Sequence, residues 1–451
     1  MNAIASVTSS PPIAAILTSQ RAAFLRDGAP SLSARKADLR TLRAAILARR
    51  EQIERALDAD FGHRSRHETA MMEIMPSVQG IDYLHRNLRR FMRPERRHVA
   101  LTFRFASARI EYQPLGVVGI VAPWNYPLGL ALMPLVTAIA AGNRAMIKPS
   151  EFTPETSALL ADILGEIFPA EQVAVVTGDA AVGAAFTALP FDHLLFTGST
   201  QVGRAVMRAA SGNLVPVTLE LGGKSPVIVA PGYVNDATAS GIAFGKLANA
   251  GQTCVAPDYV MVHEDEADAF RAAYGRAVSK LYPDGPDSAD YSSIINNRHF
   301  DRLNRLIEDA TAKGANVLPA GRASWETKRP HTLAPVLVLN PGDDMAIMQE
   351  EIFGPILPVL TYREFDEAIA YVNARPRPLA LYYFGREDAD CRRVMSQTTS
   401  GNAGINNTLM HYAQDDLPFG GVGPSGMGAY HGIEGFRSMS HAKGIYSQGH
   451  L

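Results

Sequence analysis

The stretch that most constrains the fold runs from Leu115 to Gly223, where short apolar runs alternate with helical segments. Gly116–Val121, Arg144–Lys148, Val173–Thr177 and His193–Thr197 are too short for helices, and each precedes a segment of helical periodicity. Such alternation implies a parallel sheet wrapped by helices, because parallel neighbours must be joined by a crossover. Ligands of these sheets sit beyond the carboxyl ends of the strands. A nucleotide site is the natural expectation. A second α/β unit is expected over residues 224–417, with strands at Tyr259–His263, Ile356–Leu360 and Leu379–Phe384 between helices over residues 265–280, 300–312 and 364–374.

Ahead of these units, apolar residues at helical spacing predict one long helix over residues 33–60 and another over 67–90, forming an outer layer. Ala100–Pro114 reads as a hairpin turning at Ala106-Ser107-Ala108 and available to a second subunit, while His431–Leu451 is polar, irregular or strand-like. Tyr112 to Asn143 carries no charge, yet Pro123, Pro127, Pro134 and Asn125 make it a strand, a loop and a buried helix over residues 128–141 rather than a membrane span. With 451 residues, 47% of them hydrophobic, more than one core is expected. Lys plus Arg (43) nearly cancels Asp plus Glu (45), which argues against nucleic acid and anionic lipid and for a small-molecule partner. The cysteines are Cys254 and Cys391, without a C-x-x-C, which fits a reducing compartment and no metal site. Met1–Pro12 lacks the features of a signal peptide and reads as a loose, cytoplasmic start.

Several segments carry residues suited to chemistry. Cys254 lies in Gly251-Gln252-Thr253-Cys254-Val255-Ala256-Pro257, a turn that could present a thiol, although a small buried hydrophobe is the other reading. A free thiol, with a pKa of about 8.5, is only a few per cent ionised at neutral pH, so a nucleophilic role requires activation. In Val215–Leu221 the valines and leucines share one face, and Glu220 stands on the other before Gly222-Gly223; it is either a general base in a cleft or a solvated strand-edge residue. Ala122-Pro123-Trp124-Asn125-Tyr126-Pro127 follows a strand, so Asn125 is an oxyanion donor or a turn former. Lys148 and Glu151 close the next strand, where a carboxylate can hold ribose hydroxyls and oppose a 2′-phosphate, favouring NAD over NADP. Gly198, Ser199 and Gly203 lie at a strand-turn-helix junction that suits a pyrophosphate or is a plain capped helix. Glu350–Pro355, with Glu351 and Phe353, and the Gly-rich Leu417–Gly423, with Phe419, line a pocket or are simply loops.

Taken together and in order, these segments resemble the NAD(P)-dependent aldehyde dehydrogenase superfamily over almost the whole chain. Asp58–Ser65 and Gln414–Gly428 look like its coniferyl-aldehyde dehydrogenase branch. The resemblance implies an α/β fold: a modified Rossmann cofactor domain (residues 1–99 and 115–223), an α/β catalytic domain (224–430) and a small β oligomerisation element (100–114 and 431–451) that suggests a homodimer. It makes Cys254 the nucleophile, Glu220 the base that activates water, and Asn125 with the Cys254 N–H the oxyanion hole. Lys148 and Glu151 would hold the adenosine ribose, Gly198, Ser199 and Gly203 the pyrophosphate, and Glu351, Phe353 and Trp124 the nicotinamide side, with Phe419 and Tyr126 against an aldehyde substrate. The implied chemistry is a thiohemiacetal that yields hydride to NAD (NADP is also possible), then a thioester that water hydrolyses. Gly401-Asn402-Ala403-Gly404 departs from the usual Ser-Gly-Gly-type pattern, which bears on pocket shape. Rivals are an acyl-phosphate or CoA-linked reductase using the same cysteine, which needs no water-activating Glu220, and a non-catalytic binding protein.

Overall fold

The structure, a computed structural model, describes residues 13–448 apart from 104, 322–326 and 328, so the expected loose Met1–Pro12 start lies outside the described residues. A six-stranded sheet runs in the order Gly426–Met427, Val217–Glu220, His193–Thr197, Val117–Val121, Arg144–Lys148, Val173–Val175. All neighbours are parallel except Gly426–Met427. The chain starts at the central strand Val117–Val121, moves outward to Val173–Val175, then returns to the opposite side with His193–Thr197. That reversal of direction is the topological switch point of a doubly wound sheet, where the crossovers diverge and leave a crevice.

A seven-stranded sheet follows in the order Asn316–Pro319, Val336–Leu339, Ile356–Tyr362, Tyr259–His263, Pro226–Val229, Ala380–Phe384, Asn402–Ile405. It too is parallel, apart from the Asn316–Pro319 edge. The strands expected at 259–263, 356–360 and 379–384 are present. Those at 226–229, 316–319 and 336–339 carry too little flanking signal to stand out in the sequence.

The uncharged run is explained by burial: every residue of the helix Gly129–Ala141 is buried, between the first sheet and the outer helices. Among the described residues no helix is long and apolar enough to cross a membrane. The helix expected over 33–60 is two, Leu32–Ala48 and Arg50–Phe61, because Arg49 leaves helical geometry at φ −103°, ψ 11°. The next run, Arg66 to Phe91, contains one wide π turn at Ala70–Ile74. Pro76 follows that turn and has no N–H for the carbonyl four residues back, which favours a local change of helical pitch.

The hairpin is relocated. Ala106–Pro114 is one continuous strand, paired with Glu95–Arg97 on one side and Ser440–Gln448 on the other. Ala106, Ser107 and Ala108 are small but include neither Gly nor Pro, and the C-terminal strand offers them backbone partners, so the reversal falls between Arg97 and Ala106. The tail is the helix Gly432–Ser438 followed by the strand Ser440–Gln448.

Candidate active site

Strand register gathers most of the flagged residues. Val121 pairs with Lys148 and Phe196, and Thr197 pairs with Glu220, so four carboxyl ends finish level at one edge. Loops carrying Asn125, Glu151, Ser199 and Gly222 leave that edge together. The second sheet contributes its opposite edge: Cys254 lies just before Tyr259–His263, and Glu351 and Phe353 just before Ile356–Tyr362. Leu221–Ser225 alone joins Glu220 to Pro226 of the second sheet, so at about 3.5 Å per Cα step the two edges lie within about 21 Å.

Cys254 is half-buried on the wall of a cavity of about 290 Å³, with Tyr126, Thr253, Met71, Met72, Leu130 and Tyr412 among its neighbours there. The approach to the cysteine is bent: Asn249 and Ala250 are left-handed at φ 51° and 49°, and Gly251 follows at 78°. A side chain at Gly251 would meet the Gly354 carbonyl at 2.3 Å, so only glycine fits there. The fully buried Gln252 holds the loop, donating to Asn249 O (2.9 Å) and Ser293 O (3.0 Å) and accepting from the Ile295 N–H (2.9 Å). Burial pushes the Cys254 thiol up to about 12, helped by Glu351 and Glu220, while its own N–H and that of Val255 draw it down.

Glu220 is 3% exposed, which excludes the solvated strand-edge reading. Neither carboxylate oxygen has a hydrogen-bond partner, and burial raises its pKa well above the ordinary range. Asn125 is buried and donates from Nδ2 to Gln252 O at 3.1 Å, two residues from the sulfur, leaving its second amide hydrogen. Tyr126 shares a 2.7 Å hydrogen bond with Thr253. Glu351 faces the double-glycine turn, where a side chain at Gly222 would strike its carboxylate, and burial raises it to about 8, reinforced by Asp258.

The groups expected around a dinucleotide also converge on this edge. Lys148 Nζ, buried, donates to Pro149 O at 2.8 Å and to Glu151 at 3.3 Å, while Glu151 stays partly exposed. Ser199 caps the helix Thr200–Ser211 by accepting from the Val202 N–H (3.4 Å), so the earlier first-turn N–H groups remain for an anion. Side chains at Gly198 and Gly203 would meet the Phe196 ring at 2.5 Å and the Leu221 side chain at 2.6 Å, so both glycines leave room for these neighbours to pack against the turn and the helix. Thr197 Oγ1 is buried without a partner beside them. Phe353, left-handed at φ 52°, packs edge-on to Trp124 at 5.3 Å. A cradle that side chains would fill, a helix N-terminus and a spare buried hydroxyl fit a dinucleotide.

The aldehyde dehydrogenase family model matches residues 4–445. The chain belongs to the aldehyde dehydrogenase family. It is 52% identical over 434 residues to a probable coniferyl aldehyde dehydrogenase of Pseudomonas aeruginosa, covering 96% of this chain and 90% of that one. It superimposes on a substrate-bound aldehyde dehydrogenase of Staphylococcus aureus with TM-score 0.93 at 39% identity, covering 98% and 95%. It is likewise similar to a Mycobacterium tuberculosis aldehyde dehydrogenase solved with NAD+, with TM-score 0.86 at 29% identity, covering 95% and 88%. The fold expected from the resemblance and the NAD(P)-dependent oxidation of aldehydes are thereby shown, with a nicotinamide cofactor.

Two features of this aldehyde dehydrogenase depart from the sequence reading. Phe419 does not reach the cavity; it is buried behind Tyr412, whose ring is 4.9 Å away, and beside His411, Tyr430 and His431. The Gly-rich loop packs inward because glycines 420 and 421 sit against backbone, leaving Phe419 nowhere to project. Conversely, Met71, Met72, Glu68, Phe244, Met410 and Tyr412 line the cavity and were not singled out. Glu68, Met71 and Met72 read as part of an ordinary helix, Phe244, Met410 and Tyr412 stand apart from them in the chain, and nothing local distinguishes a cavity wall from a packed face. Cys391 is buried in the core. Among the described residues no cluster of His, Cys, Asp and Glu could hold a metal ion.

Proposed function

We propose that this enzyme oxidises an aromatic aldehyde of the coniferyl aldehyde type to its carboxylic acid through a covalent cycle on Cys254, using NAD. The observation that carries this is Glu220: a buried carboxyl without partners, close enough to the cysteine to shift its ionisation. Such a group is costly to keep unless a water or a proton is to be handled there. Cys254 sulfur forms a bond to the carbonyl carbon, and the thiol proton leaves through Glu220 or to solvent. The oxygen, now anionic, is held by the Asn125 amide and the Cys254 N–H. The nicotinamide, when bound, supplies the hydride acceptor. Lys148 and Glu151 orient the adenosine ribose, the Ser199 helix end takes the pyrophosphate, and Glu351, Phe353 and Trp124 position the nicotinamide side. The resulting thioester is attacked by a water whose proton Glu220 takes, the carbon–sulfur bond breaks, and thiolate returns.

The substrate class rests on the cavity: methionines 71, 72 and 410 with Phe244 and Tyr412 form an apolar, adaptable wall for a flat ring. Coniferyl aldehyde is also the substrate in the relative's name. Preference for NAD rests on the Glu151 carboxylate, which repels a 2′-phosphate. The three-stranded sheet, with exposed Leu101, Phe103 and Tyr446, supports a homodimer, and the free cysteines support a cytoplasmic enzyme. On rapid mixing with coniferyl aldehyde and NAD, wild type is expected to give a stoichiometric burst of NADH and Cys254→Ala none. Added CoA or phosphate is expected not to speed acyl release. Equal bursts in both proteins would sink the nucleophile, and acceleration by CoA or phosphate would favour a reductase. A panel of aromatic and aliphatic aldehydes with NAD and NADP decides the substrate.

A further inference from the structure

We propose that the buried Arg64–Glu73 pair is a positioning device for the reaction, clamping the loop that carries Asn125 at both ends and so fixing its amide relative to Cys254. Arg64 leaves the short link after the helix Arg50–Phe61, and its side chain is fully buried. Its Nη1 donates to the Asn125 backbone carbonyl at 2.8 Å and lies 3.5 Å from Glu73 Oε1, itself fully buried. The other Glu73 oxygen accepts from the Gly129 N–H at 2.7 Å, where the helix Gly129–Ala141 begins. One ion pair therefore grips residues 125 and 129 together.

The grip continues into the nucleophile loop. The Asn125 carbonyl also accepts from Asn249 Nδ2 (3.0 Å), and Gln252 O accepts from both Asn125 Nδ2 (3.1 Å) and Asn249 Nδ2 (3.3 Å). The Asn249 N–H is held by Glu68 Oε1 at 2.9 Å. The Arg64 guanidinium also lies over the rings of Phe61 (4.5 Å) and Tyr126 (4.9 Å), which restrict its orientation. Glu73 is aimed inward by the π turn, a helical irregularity common at functional sites. Neither Arg64 nor Glu73 lines the cavity.

Stability alone does not account for the pair. A buried ion pair rarely outperforms apolar packing of the same volume, because both charges lose their water. This one is also under-satisfied: Arg64 Nε and Nη2 and Glu73 Oε1 have no hydrogen-bond partners. What it supplies is direction, since a planar guanidinium packed against two rings presents its Nη1 N–H to the carbonyl at one angle, which a methionine would not.

The inference rests on Asn125 being an oxyanion donor, and a double-mutant cycle on the rate of NADH formation in the first turnover tests the two separately. Asn125→Ala is expected to slow that step roughly 100-fold. Arg64→Met is expected to slow it about 10-fold or more with aldehyde KM within about threefold, since a displacement of an ångström is enough for such a loss. Combining them is expected to be no slower than Asn125→Ala alone, and Arg64→Lys is expected to recover part of the rate. Should Arg64→Met fail to fold, Glu73→Gln, which keeps the shape, takes its place in the cycle. Full additivity of the two losses, or an unchanged first turnover in the folded variant, overturns the positioning role while leaving Asn125 intact. An unchanged rate in Asn125→Ala removes the oxyanion assignment and this inference with it.

Discussion

Cys254, Glu220 and Glu351 share one poorly solvated corner, and the two carboxylates make the thiol harder to ionise. Burial is the main cause for all three, and it raises the thiol to about 12 and Glu351 to about 8. The sulfur therefore rests protonated, and its reactivity has to be released by a change in surroundings rather than by the loop itself. Iodoacetamide should label the free enzyme slowly at pH 7 and faster as pH rises past the ordinary thiol range. Glu351→Gln should move that profile to lower pH, and more than Glu220→Gln does, because Glu351 has the larger electrostatic effect on the sulfur. A profile at the ordinary thiol pKa, insensitive to either change, would contradict the burial argument. Glu220→Gln should also preserve the NADH burst while slowing steady turnover by roughly 10²–10⁴-fold, the usual worth of a general base. The same carboxyl governs stability. Its folded-state pKa lies above the unfolded value of 4.5, so its favourable contribution is complete below that value and is lost as pH rises through the folded pKa. Glu220→Gln should therefore gain melting temperature relative to wild type between pH 5 and 8. A difference that stays constant with pH would mean the carboxyl is hydrated in solution.

At the level of elements, the cofactor edge depends on how closely the helix Thr200–Ser211 approaches its sheet. Gly203 faces Leu221 there, and a single methyl would overlap it at 2.6 Å. Gly203→Ala should cost about 1–3 kcal/mol of stability, typical of overpacking, and weaken NAD binding by tilting the helix N-terminus. Urea unfolding and NAD titration measure the two effects, and unchanged NAD affinity in a destabilised protein would separate the helix from the cofactor. The pattern of apolar runs made the parallel strands and most helices legible. It missed the break at Arg49 and the π turn before Pro76, because both depend on backbone geometry that residue spacing does not register. It also misplaced the turn near Ala106, because the partner strand comes from the far end of the chain.

For the whole molecule, the sheet formed by Glu95–Arg97, Ala106–Pro114 and Ser440–Gln448 ties the segment ahead of the first large sheet to the C-terminal strand and leaves Phe103 and Tyr446 each 54% exposed, their rings 6.2 Å apart. Charging that face with Phe103→Asp and Tyr446→Asp should shift sedimentation of the proposed homodimer toward a monomer while leaving most of the specific activity. Sedimentation as a dimer in the double variant would move the interface elsewhere. What the sequence by itself determined is the doubly wound architecture and the residues at the carboxyl ends of its first sheet: strand period and strand ends are local properties, and Glu220, Asn125, Lys148 and Ser199 follow from them. Only the tertiary structure decided the rest. That Cys254 meets them from the amino edge of a second sheet, that Glu220 is buried and that Arg64 reaches Asn125 all depend on contacts between residues dozens to hundreds of positions apart, and Phe419 turns inward against rings 7 to 12 positions away. Burial and direction there are set by packing, not by neighbours in the chain.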